Sequence, residues 1–121
     1  NLKPNILATS DYLESAKTRD DVILIDNRER LNFLEQHIPG AISLPYRTLA
    51  SAEKILRPKE DMKRLLDNRG VTENSEIITY CQGAYRAANS FLVLKKLGFK
   101  NVKIYLGSWG EWGNNLILPI E

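Results

Sequence analysis

The chain contains a single cysteine, Cys81, in the run Ile77-Ile78-Thr79-Tyr80-Cys81-Gln82-Gly83-Ala84-Tyr85-Arg86-Ala87-Ala88. A thiol followed closely by a glycine and an arginine can act as a nucleophile beside an anion-stabilising loop. Gly83 permits backbone angles closed to other residues. The stretch from Cys81 to Arg86 could therefore fold as a cradle of inward N–H groups around the sulfur. If a helix begins near Arg86, its unsatisfied N–H groups and dipole favour the thiolate over the thiol. The competing reading is a buried, inert core cysteine, a common fate of a lone thiol. Gly83 and Arg86 tip the balance toward chemistry.

The flanking residues supply the elements such a loop needs. Residues 76–80 are mostly β-branched and aromatic and predict a buried strand ending at Tyr80. From Arg86 to Leu97, Ala87, Phe91, Leu94 and Leu97 recur at helical spacing, and Gly98 supplies a C-cap. Ligands of open α/β sheets bind at the carboxyl ends of strands, which is where Cys81 would stand.

Earlier in the chain, Val22 to Ile25 is a continuous apolar run, as expected of a parallel strand covered on both faces. It delivers Asp26 and Arg28 to the same end of the sheet. Asp26 reads as a turn or capping carboxylate, and Arg28 as an anion-binding group or a solvated surface charge. A helix over Glu29 to Gln36 is expected next, with Leu31 and Leu34 inward and Arg30 and Glu35 on the solvated face. His37-Ile38-Pro39-Gly40-Ala41 predicts a turn into a strand from Ala41 to Leu44. His37, the only histidine, invites a general-base role, but beside a tight turn it reads better as a loop holder.

Other elements follow from the same rules. Thr9 or Ser10 can cap a helix over Asp11 to Lys17, after a leader of unassigned structure to Ala8. A loop with a helical turn is expected over 47–57, an amphipathic helix over Glu60 to Asn68 stopped near Gly70, and a strand over Asn101 to Leu106. Trp109 and Trp112 lie in a glycine-rich segment, as core residues or as an apolar wall beside the sulfur. Asn114 to Glu121 is an apolar tail with no assignable chemistry. Strands alternating with helices predict a single α/β domain with a mainly parallel central sheet flanked by helices.

Three stretches together resemble the rhodanese (sulfurtransferase) family. Cys81 to Arg86, with Cys first and Arg sixth, is similar to its active-site loop. Leu24-Ile25-Asp26-Asn27-Arg28 with His37-Ile38-Pro39-Gly40-Ala41-Ile42 resembles its first signature, with Gln36 where glycine is common. Leu106-Gly107-Ser108-Trp109-Gly110-Glu111-Trp112 resembles the closing segment of catalytic domains in two-domain members. The resemblance implies a rhodanese-like catalytic domain over residues 1–121. It implies a persulfide on Cys81, formed from an anionic donor such as thiosulfate and passed to a thiol or cyanide acceptor. Catalytic roles would fall to Cys81 and Arg86, substrate binding to Arg28, Gln82, Gly83, Ala84, Tyr85 and Trp109, and structural support to Asp26 and His37. No metal and no organic cofactor is required. The Thr9-Ser10-Asp11-Tyr12-Leu13 opening resembles the second domain of tandem rhodaneses. That implies an excised C-terminal domain whose parent chain holds a second rhodanese domain, with a complete small protein as the alternative.

Two other readings remain open. Tyrosine phosphatases share the strand–Cys-loop–Arg–helix arrangement, but their signature has one more residue between Cys and Arg than Gln82 to Tyr85 provides. A non-catalytic rhodanese-like binding module is the other, although such domains typically lack the Cys or the Arg.

Composition narrows the partners. At 121 residues the chain suffices for one core. Its net charge of +2, with basic and acidic residues interspersed, shows neither a nucleic-acid stripe nor a polybasic membrane patch. No apolar run approaches the ~18–20 residues needed to span a bilayer. One cysteine excludes an internal disulfide and a cysteine zinc site, and points to the cytoplasm.

Overall fold

Thr9 caps the first helix with its hydroxyl, accepting from the Tyr12 amide at 3.1 Å. The computed structural model describes residues 6–45, 48, 59–82, 85–115 and 118–121, with residues 59, 61, 85 and 86 described by backbone alone. In chain order the elements are β1 (Leu7–Ala8), α1 (Ser10–Ala16), β2 (Val22–Asp26), α2 (Arg30–Glu35) and β3 (Ile42–Ser43). They are followed by α3 (Lys59–Asn68), β4 (Glu76–Tyr80), α4 (Tyr85–Lys96), β5 (Val102–Tyr105) and α5 (Ser108–Trp112). The expected loop over 47–57 lies outside the described residues, Thr48 excepted.

The five strands form one parallel sheet in the order β1-β5-β4-β2-β3. β4 is its most buried strand, every residue from Glu76 to Tyr80 being buried. Alternation along β4 feeds two cores. Ile77 packs with Met62, Leu66, Phe91 and Leu94 from α3 and α4. Ile78 and Tyr80 pack on the other face with Leu13 of α1 and Trp112 of α5. This two-sided cover is what an all-parallel sheet requires.

Register aligns the strand ends. Asp26 stands opposite Tyr80 on one side and Ser43 on the other. From β2 the chain moves outward to β3, and from β4 it moves the other way to β5. The order therefore reverses between β2 and β4, and the crevice at their carboxyl ends is the favoured ligand site of such sheets. Asp26, Arg28 and Cys81 all belong to that crevice.

Two segments that the sequence left unassigned form elements, and one expectation needs correction. In the leader, Leu7 and Ala8 pair with Ile104 and Tyr105 as an edge strand. The glycine-rich tryptophan segment is a short helix. In α2, Leu31 and Leu34 are not inward but 75% and 59% exposed, and no residue of the helix is buried. A six-residue helix presents little more than one inward position. Here Phe33 takes it, stacking on His37 at 3.9 Å and joining the Tyr80 core.

Candidate active site

Cys81 is the first residue beyond β4 and is only 3% exposed. Its backbone is clamped by the start of α5. The Cys81 N–H donates to Ser108 Oγ at 3.2 Å, and that hydroxyl donates onward to the Tyr105 carbonyl at 2.9 Å. The Trp109 N–H donates to the Cys81 carbonyl at 2.8 Å, and the Gly110 N–H to the Gln82 carbonyl at 2.9 Å. Ser108 is fully buried and is, among the described residues, the one non-glycine with positive φ, at 53°. Such strain persists where surrounding contacts over-determine the backbone, as at functional sites. A Cβ on Gly110 would stand 3.1 Å from the Gln82 carbonyl oxygen, and one on Gly113 2.5 Å from the Trp109 ring. The glycines of this segment let α5 close on the cysteine loop.

Ser108 was absent from the residues the sequence nominated. Its signal lay in its place, a small polar residue between strand-end glycine and tryptophan. Nothing in its type announced a bond to a main-chain amide 27 residues away.

Arg28 is not a solvated surface charge. It is 5% exposed, and Nε donates to both Asp26 carboxylate oxygens at 3.1 Å while Nη2 donates to Oδ2 at 2.8 Å. Nη2 also donates to the Gln36 carbonyl at 2.6 Å. The guanidinium carbon lies 4.4 Å from the Trp109 ring centre and 6.0 Å from that of Tyr80. Asp26, fully buried, accepts in addition from the Arg28 N–H at 2.9 Å and from the Tyr80 hydroxyl at 2.7 Å. Tyr80 in turn accepts from the Ile38 N–H at 3.2 Å. Burial, then the Asp26 charge, pushes the Tyr80 phenol well above the ordinary tyrosine range, so it stays a donor.

His37 holds the turn after α2. Nδ1 lies 2.8 Å from the Phe33 carbonyl and, against an oxygen that can only accept, must be the donor. Nε2 faces Glu121 Oε1 at 3.4 Å, and the two residues exchange backbone bonds of 3.1 and 2.9 Å. The apolar tail thus closes on the His37 turn, and Trp112 Nε1 donates to the Pro119 carbonyl at 2.6 Å.

A cavity of about 130 Å³ is lined by Arg28, Asn32, Glu35, Gln36, Gln82 and Trp109. It brings together three residues the sequence nominated, Arg28, Gln82 and Trp109, with three it did not. Glu35, expected on the solvated face of α2, is exposed but also forms this wall. Gly83 and Ala84 lie outside the described residues, as do the side chains of Tyr85 and Arg86, whose backbones open α4. A larger cleft of about 210 Å³, lined by Leu13, Leu24, Ile38 and Trp112 among others, borders α1 and includes none of the nominated residues. Among the described residues, no cluster of His, Cys, Asp and Glu suits a metal ion, and no helix is long and apolar enough to cross a membrane.

Residues 9–115 match the Rhodanese-like domain family. The chain belongs to that family. Among curated relatives, this rhodanese-like domain is 34% identical to the thiosulfate sulfurtransferase of Pseudomonas aeruginosa and, equally, to that of Azotobacter vinelandii. Each match covers 94% of the chain and 45% of the relative, so the chain spans about half the length of these proteins. A further relative, the sulfur carrier protein TtuD of Thermus thermophilus, is 39% identical over 69% of the chain and 30% of its own length. Solved structures share the fold. The rhodanese-like domain of the Anabaena Alr3790 protein superimposes with a TM-score of 0.71 at 20% identity, covering 99% of this chain and 80% of that one. An anaerobic ergothioneine biosynthesis enzyme from Chlorobium limicola gives 0.77 at 20% identity, over 97% of this chain and 28% of that one.

Proposed function

We propose that this rhodanese-like domain is a sulfurtransferase that carries a sulfane sulfur as a persulfide on Cys81. The observation that carries the reading is the placement of the only cysteine at the switch-point crevice, four residues ahead of the first residue of α4. The 34% identity to proteins named thiosulfate sulfurtransferase agrees with it.

In the first half-reaction the Cys81 thiolate attacks the outer sulfur of thiosulfate. A new S–S bond forms to Cys81 while the donor's S–S bond breaks, and its electron pair leaves with sulfite. In the second half-reaction cyanide or a thiolate attacks the terminal sulfur of the persulfide. The Cys81–S bond to that sulfur breaks, thiocyanate or a new persulfide departs, and the thiolate returns. This is covalent catalysis in two steps, and a lone working thiol suits a reducing compartment such as the cytoplasm.

Arg86, in the first turn of α4, and the loop from Gln82 to Tyr85 would stabilise the departing anion. Arg28 supports the site differently from a free cation. Its Nε and Nη2 are engaged by Asp26 and the Gln36 carbonyl, leaving Nη1 as the nitrogen with which it could address a donor. Residues 1–121 would form the catalytic domain of a longer tandem protein, the relatives being more than twice as long as the matched region.

Mass spectrometry of the chain after thiosulfate treatment tests the proposal. One added sulfur atom on Cys81, removed by cyanide with release of thiocyanate, is the expected result. An unmodified Cys81 under saturating thiosulfate and other sulfane donors would overturn it in favour of a binding module.

A further inference from the structure

We propose that Tyr80 is a positioning residue of this site, whose hydroxyl ties the Asp26–Arg28 pair to the strand that carries Cys81 and so sets the direction of the Arg28 guanidinium. The consequence for an anionic sulfur donor rests on the persulfide reading; the tie itself is a property of the fold.

Among the described residues, every donor to the Asp26 carboxylate but one belongs to Arg28. The Arg28 N–H and Nε reach Oδ1 at 2.9 and 3.1 Å, and Nε and Nη2 reach Oδ2 at 3.1 and 2.8 Å. These bonds join residues two apart in one segment and do not by themselves fix where that segment's charges stand relative to β4. The exception is the Tyr80 hydroxyl, 2.7 Å from Oδ2. The direction of that bond is settled by its surroundings. The Ile38 N–H donates to the phenol oxygen at 3.2 Å, which leaves the hydroxyl hydrogen for Asp26. Burial, and after it the Asp26 charge, keeps the phenol protonated. Tyr80 is fully buried, so solvent does not compete for the bond.

The tie bears on the thiol from two sides. Tyr80 is the residue before Cys81 in the chain. Arg28, held by Asp26, lies 4.4 Å from the centre of the Trp109 ring, and the Trp109 N–H donates to the Cys81 carbonyl at 2.8 Å. The guanidinium also shares a cavity wall with Gln82, the residue after Cys81. A phenylalanine at position 80 would fill the same space but release the pair to turn about the end of β2. Arg28 would keep its charge and lose its set direction toward a donor. Loss of that kind acts on binding more than on bond-making.

Tyr80→Phe removes one oxygen atom and tests the tie. Nuclear magnetic resonance follows the Arg28 Nε–H, which should exchange slowly with solvent in the unaltered chain and roughly tenfold faster in Tyr80→Phe. The Michaelis constant for thiosulfate should rise about threefold to tenfold, the worth of one hydrogen bond, with turnover changed less than about twofold. In an Arg28→Lys background there is no planar fork to orient, and Tyr80→Phe should raise the constant no further. An equal rise in that background, or a fall in turnover with the constant unchanged, would assign Tyr80 to packing and overturn the proposal. Should Tyr80→Phe fail to fold, the unaltered chain decides. Slow exchange of the Arg28 Nε–H, with a nuclear Overhauser contact to the Tyr80 hydroxyl proton, supports the tie; fast exchange or no contact overturns it. If Tyr80→Phe loosens the Arg28 Nε–H but no sulfane donor ever loads Cys81, the tie stands and the transferase reading alone falls.

Discussion

The Ser108 hydroxyl accepts the Cys81 amide at 3.2 Å and donates to the Tyr105 carbonyl at 2.9 Å. One side chain thereby fixes the end of β5 to the start of the cysteine loop. Ser108→Ala should leave the buried Cys81 N–H without its partner, at a cost of about 1–3 kcal/mol. Urea unfolding measures that cost. Sulfur loading should slow as well, since the loop loses its anchor. Ser108→Gly relaxes the positive φ but leaves the same amide unpaired. It should recover part of the stability without recovering the loading rate. Full activity in both variants would show that the clamp is dispensable.

Cys81→Ser should abolish sulfur transfer and leave the fold intact. A hydroxyl has no accessible anion at neutral pH, and the substitution barely changes volume. Stopped assays with thiosulfate and cyanide, paired with near-ultraviolet circular dichroism, check both halves. More than a few per cent residual activity would require a nucleophile other than sulfur, since the chain has no second cysteine.

Arg28→Ala should cost stability as well as raising the Michaelis constant for anionic donors. Removing one member of a buried ion pair leaves the other charge uncompensated, typically at about 3–5 kcal/mol. Asp26 would retain the Tyr80 hydroxyl alone among its present side-chain partners. Chemical denaturation of Arg28→Ala and of Asp26→Asn should show losses of comparable size. A Michaelis effect with no loss of stability would place Arg28 outside the pair in solution.

Acid stability should depend on Glu76, at the opposite end of β4 from Cys81. Burial pushes its carboxyl up. The Tyr12 hydroxyl, the Lys103 and Arg19 cations and the Asn101 amide outweigh that and hold it below the ordinary 4.5. A group whose folded value is depressed contributes stability above its unfolded value and loses it as pH falls through the folded one. The melting midpoint should therefore drop below about pH 4.5, and Glu76→Gln should flatten that limb while lowering stability at neutral pH. An unchanged acid limb in the variant would assign it to other carboxylates.

Much of the architecture was legible in the chain. The β-branched run before Cys81 could only be a covered strand, and the helical stripe after it fixed the direction of α4 and the placement of the thiol. Thr9 and Gly98 announced their caps through chemistry that acts over three or four residues. Local signals of this kind survive folding because neighbours in sequence remain neighbours in space. Short elements were less legible. α2 carried two leucines at helical spacing, yet its phase was set by Phe33 docking on His37, so both leucines face solvent. Periodicity over six residues holds too little information to resolve which side is inward.

What the sequence alone determined was the chemistry available: one thiol, ahead of a helix, beside arginines, with no second cysteine to complicate it. Tertiary structure decided which of those charges is spent. Asp26 and Arg28 are two residues apart, and nothing in that spacing says whether the arginine points to solvent or folds back beneath Trp109. Packing brings the Trp109 ring of α5 over Arg28 and the Asp26 carboxylate against its guanidinium, so that both charges are buried and face each other. Side-chain charge is written in the chain, but its field at a site depends on distance, burial and counter-ions, which long-range packing sets.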